Sequence, residues 1–131
     1  MNAESIFGMI ILCLSCFGCG LLFLGLGKHA ASKPTPMGFW SGSPEIKPED
    51  VTDVAAYNFE NGRMWKQYSI PYFLSGVFGI LSGWNQNWSI GSVIFLALAC
   101  TVGLWWLIRT YQKIWAKYAM KQEETCRYLL Y

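Results

Sequence analysis

The sequence predicts an all-α membrane protein in which three transmembrane helices are accompanied by an amphipathic interfacial helix in the first cytoplasmic loop. Three observations lead there. The 131 residues are 53% apolar and only 14% charged, far from ordinary soluble usage. All the charged residues fall outside three stretches, 6–26, 70–84 and 88–108. All ten Lys and Arg residues lie in two blocks, between the first two stretches and after the third. A chain this short forms one domain, 1–131, with no core large enough to hide three all-round apolar helices, which leaves lipid as their solvent.

The first and third stretches have 21 residues each, roughly 31 Å of helix at about 1.5 Å per residue, which matches a hydrocarbon core of about 30 Å. The second, 70–84, gives only about 22 Å and is expected to borrow length from Tyr68 and Ser69 or to thin the bilayer. Its Pro71 is expected in the first turn, where the missing N–H would be unpaired anyway. The run at 6–26 is expected to be retained rather than cleaved, because no Lys or Arg precedes it and it ends in Gly-Leu-Gly-Lys rather than in a small-x-small site.

Orientation follows from the basic residues. Lys28, Lys33, Lys47, Arg63 and Lys66 share a cytoplasmic loop, 28–69, and Arg109, Lys113, Lys117, Lys121 and Arg127 a cytoplasmic tail, 109–131. The N-terminus and the turn Asn85-Gln86-Asn87 are then outside. Trp84 and Trp88 bracket that turn, while Trp105, Trp106 and Trp115 straddle the opposite boundary, as half-apolar, half-polar rings do at membrane surfaces.

Within the loop, KPTPMGFWSGSP carries Pro34, Pro36 and Pro44, which deny a continuous helix and predict an extended course, with Phe39 and Trp40 dipping into the interface. A helix over about 51–67 follows, capped by Asp50 with Asp53 in the capping-box position. At 100° per residue Val51, Val54, Ala55, Phe59, Gly62 and Trp65 share one face, and Thr52, Asp53, Glu60, Arg63 and Gln67 the other. Such a helix lies along the membrane surface or packs on the inner ends of the spans. Asn58 falls on the apolar face, and a buried amide must find partners, for which the nearby irregular loop has backbone groups to offer. Gly38, Phe39, Trp40, Asp53, Tyr57, Asn58 and Trp65 are therefore the candidates for recognising a partner.

The third helix is expected to run on into the tail, since no Pro or Gly interrupts 104–131. There Arg109, Lys113, Lys117 and Lys121 form a basic stripe suited to anionic lipid headgroups. A net charge of only +2 argues against nucleic acid as a partner. Small residues at four-residue spacing, Ser75, Gly79 and Gly83, Cys16 and Gly20, Ala99 and Gly103, predict close helix packing within the bundle or between copies. Cys13, Cys16 and Cys19 form a CxxCxxC run, but steps of three residues turn them off one face, no His or carboxylate lies near, and a structural reading outweighs a metal or redox site. The acidic group Glu45, Glu49, Asp50 and Asp53 is explained by a helix N-terminus, and His29 by the membrane edge. No nucleophile and base pair, phosphate loop or HExxH occurs, so neither an enzyme nor a cofactor or metal is expected. Ionisable residues within the spans, which proton-coupled carriers use, are lacking as well.

The segment from Pro36 to Gly76, with PMGFWSG and then IKPEDVTDVAAYNFENGRMWKQYSIPYFLSG, resembles small uncharacterised bacterial three-span membrane proteins. Through them it is distantly similar to the immunity family directed against the sporulation-delay toxin, whose corresponding segment has a Gly-aromatic-Arg turn and a Trp and Asn on the next helix. Gly38 and Phe39 match, Trp40 stands where that family has Arg, and Asn58 and Trp65 occur in the opposite order. The resemblance implies a bacterial cytoplasmic membrane location and an immunity-like role. The expected function is thus a non-enzymatic membrane protein that binds another membrane component as an immunity, sensory or accessory subunit. The alternative is a small oligomeric transporter or channel component, whose polar path would have to come from Ser75, Ser82, Ser89, Ser92 and Thr101.

Overall fold

A computed structural model describes residues 2–39 and 44–120. The described chain is all-helical. Helix α1 spans Ala3–Ser32, a short 3-10 turn covers Pro48–Asp50, α2 spans Val54–Leu81, and α3 spans Asn87–Tyr118 with a π-helical segment, Ala99–Gly103, inside it. Two of these three helices are long and apolar enough to cross a membrane: α1, with a mean hydropathy of 2.5 in its most apolar window, and α3, with 2.1. Helix α2 is as long, but Glu60, Arg63 and Lys66 occupy its first half.

α1 starts where Asn2 accepts a hydrogen bond from the Ser5 N–H at 2.9 Å, an N-cap that supplies a partner for a first-turn donor. It then runs antiparallel to α2 along nearly its whole length. Gly20 faces the Phe73 ring, Phe17 lies over Gly76, and Cys13 sits against Gly79. The closest approach is at Gly27 and Gly62, where a Cβ built on Gly27 would stand 2.6 Å from the Gly62 carbonyl oxygen and one built on Gly62 2.5 Å from that of Gly27. Backbone lies against backbone there, which only glycine on both sides permits. The α3 side is keyed by hydroxyls. Ser75 donates to the Ser92 carbonyl at 2.7 Å, Ser92 returns a bond to the Ser75 carbonyl at 2.8 Å, and the Cys16 thiol lies 3.3 Å from the Ser75 hydroxyl. All three helices therefore meet at one small polar node, with Ser75, Ser92 and Cys16 fully buried. Gly20, Ser75, Gly79 and Ala99 are buried at helix contacts and Gly103 carries the Tyr68 ring at 3.1 Å from a built Cβ, whereas Gly83 is exposed and close only to Ile80 and Met9.

Several expectations need correction. The helix at 51–67 and the apolar stretch at 70–84 are one continuous α2, so Pro71 lies deep inside a helix rather than in its first turn. A mid-helix proline forfeits one ladder bond and costs about 3 kcal/mol in an isolated helix. Here the packing of both flanking segments along α1 and α3 outweighs it. Asp53, not Asp50, caps α2 and accepts from the Ala56 N–H at 3.0 Å, while Asp50 closes the 3-10 turn by accepting from the Lys47 N–H at 2.9 Å. The buried face of α2 is also rotated from the expected one. Phe59 is 62% exposed, and Tyr57, Asn58, Asn61, Met64 and Tyr68 are inside. Two neighbours, α1 and the far end of α3, select side chains that pack and hydrogen-bond in a confined space, and these are tyrosines and amides rather than the most apolar residues.

The loop after the first stretch starts later than position 28, because α1 continues to Ser32. At the other end α3 runs on past Arg109 as expected, but stops at Tyr118. Ala119 turns extended and pairs antiparallel with Val51, with Thr52 N–H bonded to the Tyr118 carbonyl at 2.8 Å and Met120 N–H to the Asp50 carbonyl at 2.9 Å. The bridge pins the end of α3 to the start of α2. Lys121 and Arg127 lie outside the described residues.

Replacing Gly62 by Leu should lower the stability of the purified protein by about 1–3 kcal/mol, the range for overpacking a tight contact, because the obstacle is the α1 backbone. Gly25→Leu, where a new Cβ meets nothing within 4 Å, should be neutral or slightly stabilising through helix propensity. Thermal unfolding of the two variants beside the native chain measures the difference.

Candidate functional site

The residues expected to recognise a partner converge at one end of the bundle, where α1 ends, α2 begins and α3 ends. Asn58 organises it. Its side-chain oxygen accepts from the Met37 N–H at 2.9 Å, and its nitrogen donates to the carbonyls of Lys33 at 2.9 Å and Thr35 at 2.8 Å. Positions 33, 35 and 37 alternate with Pro34 and Pro36, whose fixed φ and missing N–H keep this stretch out of helix and leave its backbone groups for an outside partner. One amide thus straps three loop groups to α2, the satisfaction that an off-pattern buried amide requires. Tyr57 adds a second tie, donating to the Met37 carbonyl at 2.9 Å with its hydroxyl 3.1 Å from that of Tyr111 on α3. Burial and the Tyr111 bond push the Tyr57 phenol well above its ordinary range, so it stays protonated as a donor.

Beneath the strap the aromatic rings form a continuous string. Phe39 packs on Tyr111 at 4.7 Å between centroids and on Trp65 at 5.9 Å. Trp65 stacks on Phe23 of α1 at 5.7 Å, and Phe23 meets Tyr68 at 4.8 Å and Tyr72 at 5.0 Å. Offset and edge contacts of this kind add about 0.5–1.5 kcal/mol per pair beyond burial. The string ends at the π segment, where the Tyr68 hydroxyl lies 2.9 Å from that of Tyr72 and donates to the Ala99 carbonyl at 3.2 Å. A π turn leaves a carbonyl outside the regular ladder, and Tyr68 supplies its partner.

Of the candidate residues, Tyr57, Asn58 and Trp65 are buried, Gly38 and Phe39 half-buried, and Asp53 is exposed as the α2 cap. Trp40 lies outside the described residues. Among the expected headgroup-binding residues, Arg109 sits over the Trp105 ring at 5.7 Å, while Lys117 is paired at the surface with Glu60 at 2.8 Å. Tyr118 also donates to Glu60, at 2.7 Å. Lys113 remains exposed. No group of three or more His, Cys, Asp or Glu that could hold a metal occurs among the described residues. The cysteines of the CxxCxxC run serve packing: Cys13 against Gly79, Cys16 on Ser75, and Cys19 against the aromatic core.

Sequence reasoning missed Gly27, Gly76, Phe23, Tyr68, Tyr72 and Tyr111. A signal for part of this existed. Tyr57, Asn61, Trp65, Tyr68 and Tyr72 recur at helical spacing across the boundary drawn at 69, and read as one helix they mark a single face.

No protein family, curated protein or solved structure matches the chain.

Asn58→Leu should free the 33–39 strap, because removing the amide orphans three backbone groups, a loss of about 1–3 kcal/mol. Limited proteolysis should then cut the loop faster than in the native chain, and equal rates would mean that the bonds at 33, 35 and 37 contribute nothing. The Glu60 contact gives a pH prediction. Hydrogen bonds from Lys117 and then Tyr118 hold the Glu60 carboxyl below its usual range, and Glu60 in turn raises the Lys117 ammonium. The carboxylate's contribution is present above its unfolded pKa of about 4.3 and lost as pH falls through the depressed folded value. That of Lys117 is present below about 10.4 and lost as pH rises through its raised value. Hydrogen exchange at Thr52 and Met120, corrected for intrinsic rates, should be flat between those limits and accelerate in acid, and Glu60→Gln should abolish the acid limb.

Proposed function

We propose that this chain is a three-span integral membrane protein, with its N-terminus outside and its C-terminus in the cytoplasm, that binds another membrane component without catalysing a reaction. An immunity, sensory or accessory subunit of the bacterial cytoplasmic membrane is the role in view, in line with the resemblance of residues 36–76 to the sporulation-delay immunity family. The observation that carries the reading is the large apolar surface that the bundle turns outward, together with polar groups buried between its helices. Large apolar side chains point out, among them Phe7, Leu14, Leu21 and Leu22 on α1 and Ile90, Val93, Ile94 and Val102 on α3, while hydroxyls and amides such as Ser75, Ser92, Asn58 and Asn61 are buried. An exposed apolar surface of this extent belongs against lipid or a partner, and buried polar contacts between small-residue faces are how helices associate there.

Helix α2 supports the third span in the same way. Ile70, Leu74, Val77 and Ile80 form an exposed apolar stripe on its second half, each 44–53% accessible, and the helix carries no charge after Lys66. Its charge-free part, 67–81, is about 22 Å long, so a span there is short and calls for local thinning of the bilayer. The described Lys and Arg residues gather at the loop end of the bundle, which favours the cytoplasm for that end.

A transport path is less favoured because the hydroxyls it would need are engaged. Ser75 and Ser92 bond to each other, and Ser82, Ser89 and Thr101 donate to carbonyls of their own segments at 2.5, 2.7 and 2.8 Å.

A single cysteine at Gln86, in a background without the native cysteines, should react with a membrane-impermeant maleimide added to intact cells. Reaction only after permeabilisation would overturn the orientation. A photo-crosslinking residue at the exposed Ala55 should yield one discrete heavier adduct in native membranes. Saturable solute or ion flux by the reconstituted protein would turn the assignment to a transporter.

A further inference from the structure

At the loop end nearly every buried polar group is engaged, and among the described residues no buried side-chain nitrogen or oxygen lacks a partner. One crevice differs. Between the first half of α2 and the last turns of α3 lies an open cleft of about 300 Å³ lined by Phe59, Glu60, Arg63, Gln67, Thr110 and Ile114. Its far end is closed by Glu60 and Lys117 at 2.8 Å. Toward the middle of the bundle it is lined by Arg63, Gln67 and Thr110, and none of these three side chains makes a hydrogen bond or ion pair with the described residues. A guanidinium, an amide and a hydroxyl that converge on one cleft with their donors unengaged form an anion-binding set, and guanidinium is the side chain whose fork of donors best fits phosphate.

What the anion is attached to can be read from the same face of α2. At 100° per residue Arg63 and Gln67 are followed on that face by Ile70, Leu74 and Val77, which are 53%, 44% and 46% exposed. Donors at the loop end thus continue directly into an apolar strip about 11 Å long, the polarity profile of a phospholipid seen from its headgroup down its chain. The sign of the headgroup follows from the local charge. Arg63, Lys113 and Lys117 stand against the single carboxylate Glu60, which is already bonded to Lys117 and Tyr118. Among the described residues that line the cleft, a headgroup ammonium would find no carboxylate that is not already paired.

We propose that the crevice between α2 and α3 is a binding site for an anionic phospholipid of the inner leaflet, its phosphate held by Arg63, Gln67 and Thr110 and its acyl chain laid along Ile70, Leu74 and Val77. The site rests on the membrane reading given above and adds a specific ligand to it. Basic crevices between helices at the cytoplasmic boundary hold acidic headgroups because attraction and shape act together. Neither acts alone, since the flexible Lys113 and Lys117 attract any anion, whereas the cleft with its strip accepts an amphiphile.

The test uses the full chain in bilayer nanodiscs of phosphatidylcholine with a titrated fraction of phosphatidylglycerol, followed by native mass spectrometry of the lipids retained on extraction. The native chain should retain one phosphatidylglycerol in preference to phosphatidylcholine. Arg63→Gln and, separately, Thr110→Val should weaken that retention, the former by about tenfold, as expected for one charge-assisted hydrogen bond. Both positions line an open cleft, so the variants should fold, and an unchanged unfolding temperature confirms it. Lys28→Gln, at an exposed site of α1, should leave retention as it was. Equal losses for Lys28→Gln and Arg63→Gln, or no loss for Arg63→Gln, would reduce the preference to diffuse attraction and overturn the site. Displacement of the lipid by millimolar inorganic phosphate would overturn the role of the acyl strip. A chain that fails to float with vesicles would sink the membrane reading itself, an outcome distinct from a chain that floats but shows no lipid preference.

Discussion

The separation of α1 from α2 at Gly27 and Gly62 is the constraint on which the rest of the arrangement depends. With the two backbones in contact, a Cβ on either residue would overlap the carbonyl of the other, so the helices can be neither moved apart nor slid past each other without losing that fit. The antiparallel register that results brings Cys16 to Ser75, Phe17 to Gly76 and Phe23 to Trp65. It also places the first residues after α1 directly over Asn58. A wider spacing would put the carbonyls of Lys33 and Thr35 beyond the reach of one short amide, and the strap would lose its anchor.

The third helix is fitted to this pair by polar contacts together with apolar ones, such as Phe78 on Trp88 and Phe95 and the buried Leu107 and Ile114. The reciprocal bonds between Ser75 and Ser92 fix its depth, and the π segment at Ala99–Gly103 fixes its rotation by making room for Tyr68. In water such bonds add little, because the unfolded chain has solvent as an alternative. In the proposed lipid setting the drive to bury apolar surface between helices is weak, so packing and hydrogen bonding decide which faces meet. The same setting accounts for the apolar exterior of α1 and α3 and for the stripe on the second half of α2.

The proposed function places recognition at the loop end, where two kinds of polar group lie side by side. The strap of Asn58 and Tyr57 and the bridge between Val51 and Ala119 consume their own donors and acceptors, which stiffens the end of the bundle. Arg63, Gln67 and Thr110 line the neighbouring cleft unengaged. A rigid frame beside an open cleft suits the proposed recognition, since little entropy is lost in the frame when a ligand arrives. The buried candidates Tyr57, Asn58 and Trp65 hold the frame and do not reach the surface themselves.

Much of this could be read from the chain directly. Charge-free stretches at 6–26 and 88–108 lie within α1 and α3, and the need of Asn58 for loop backbone groups was visible from its place off the pattern. Those inferences rest on local properties, the hydropathy of a window and the chemistry of one side chain. The continuity of α2 through Pro71, the rotation of its buried face, the end of α3 at Tyr118 and the pairing of Gly27 with Gly62 were not legible in that way. Each depends on a neighbour far away in sequence: α1 against the first half of α2, Tyr118 and Ala119 against residues 51 and 52, Tyr68 against the π segment. Hydropathy acts within a few turns, so the apolar segments and the end of the bundle at which Lys and Arg collect could be read from the chain alone. Only the tertiary structure decided which faces meet and which polar groups are left free, because packing and hydrogen-bond satisfaction are settled by the partner that fills the space.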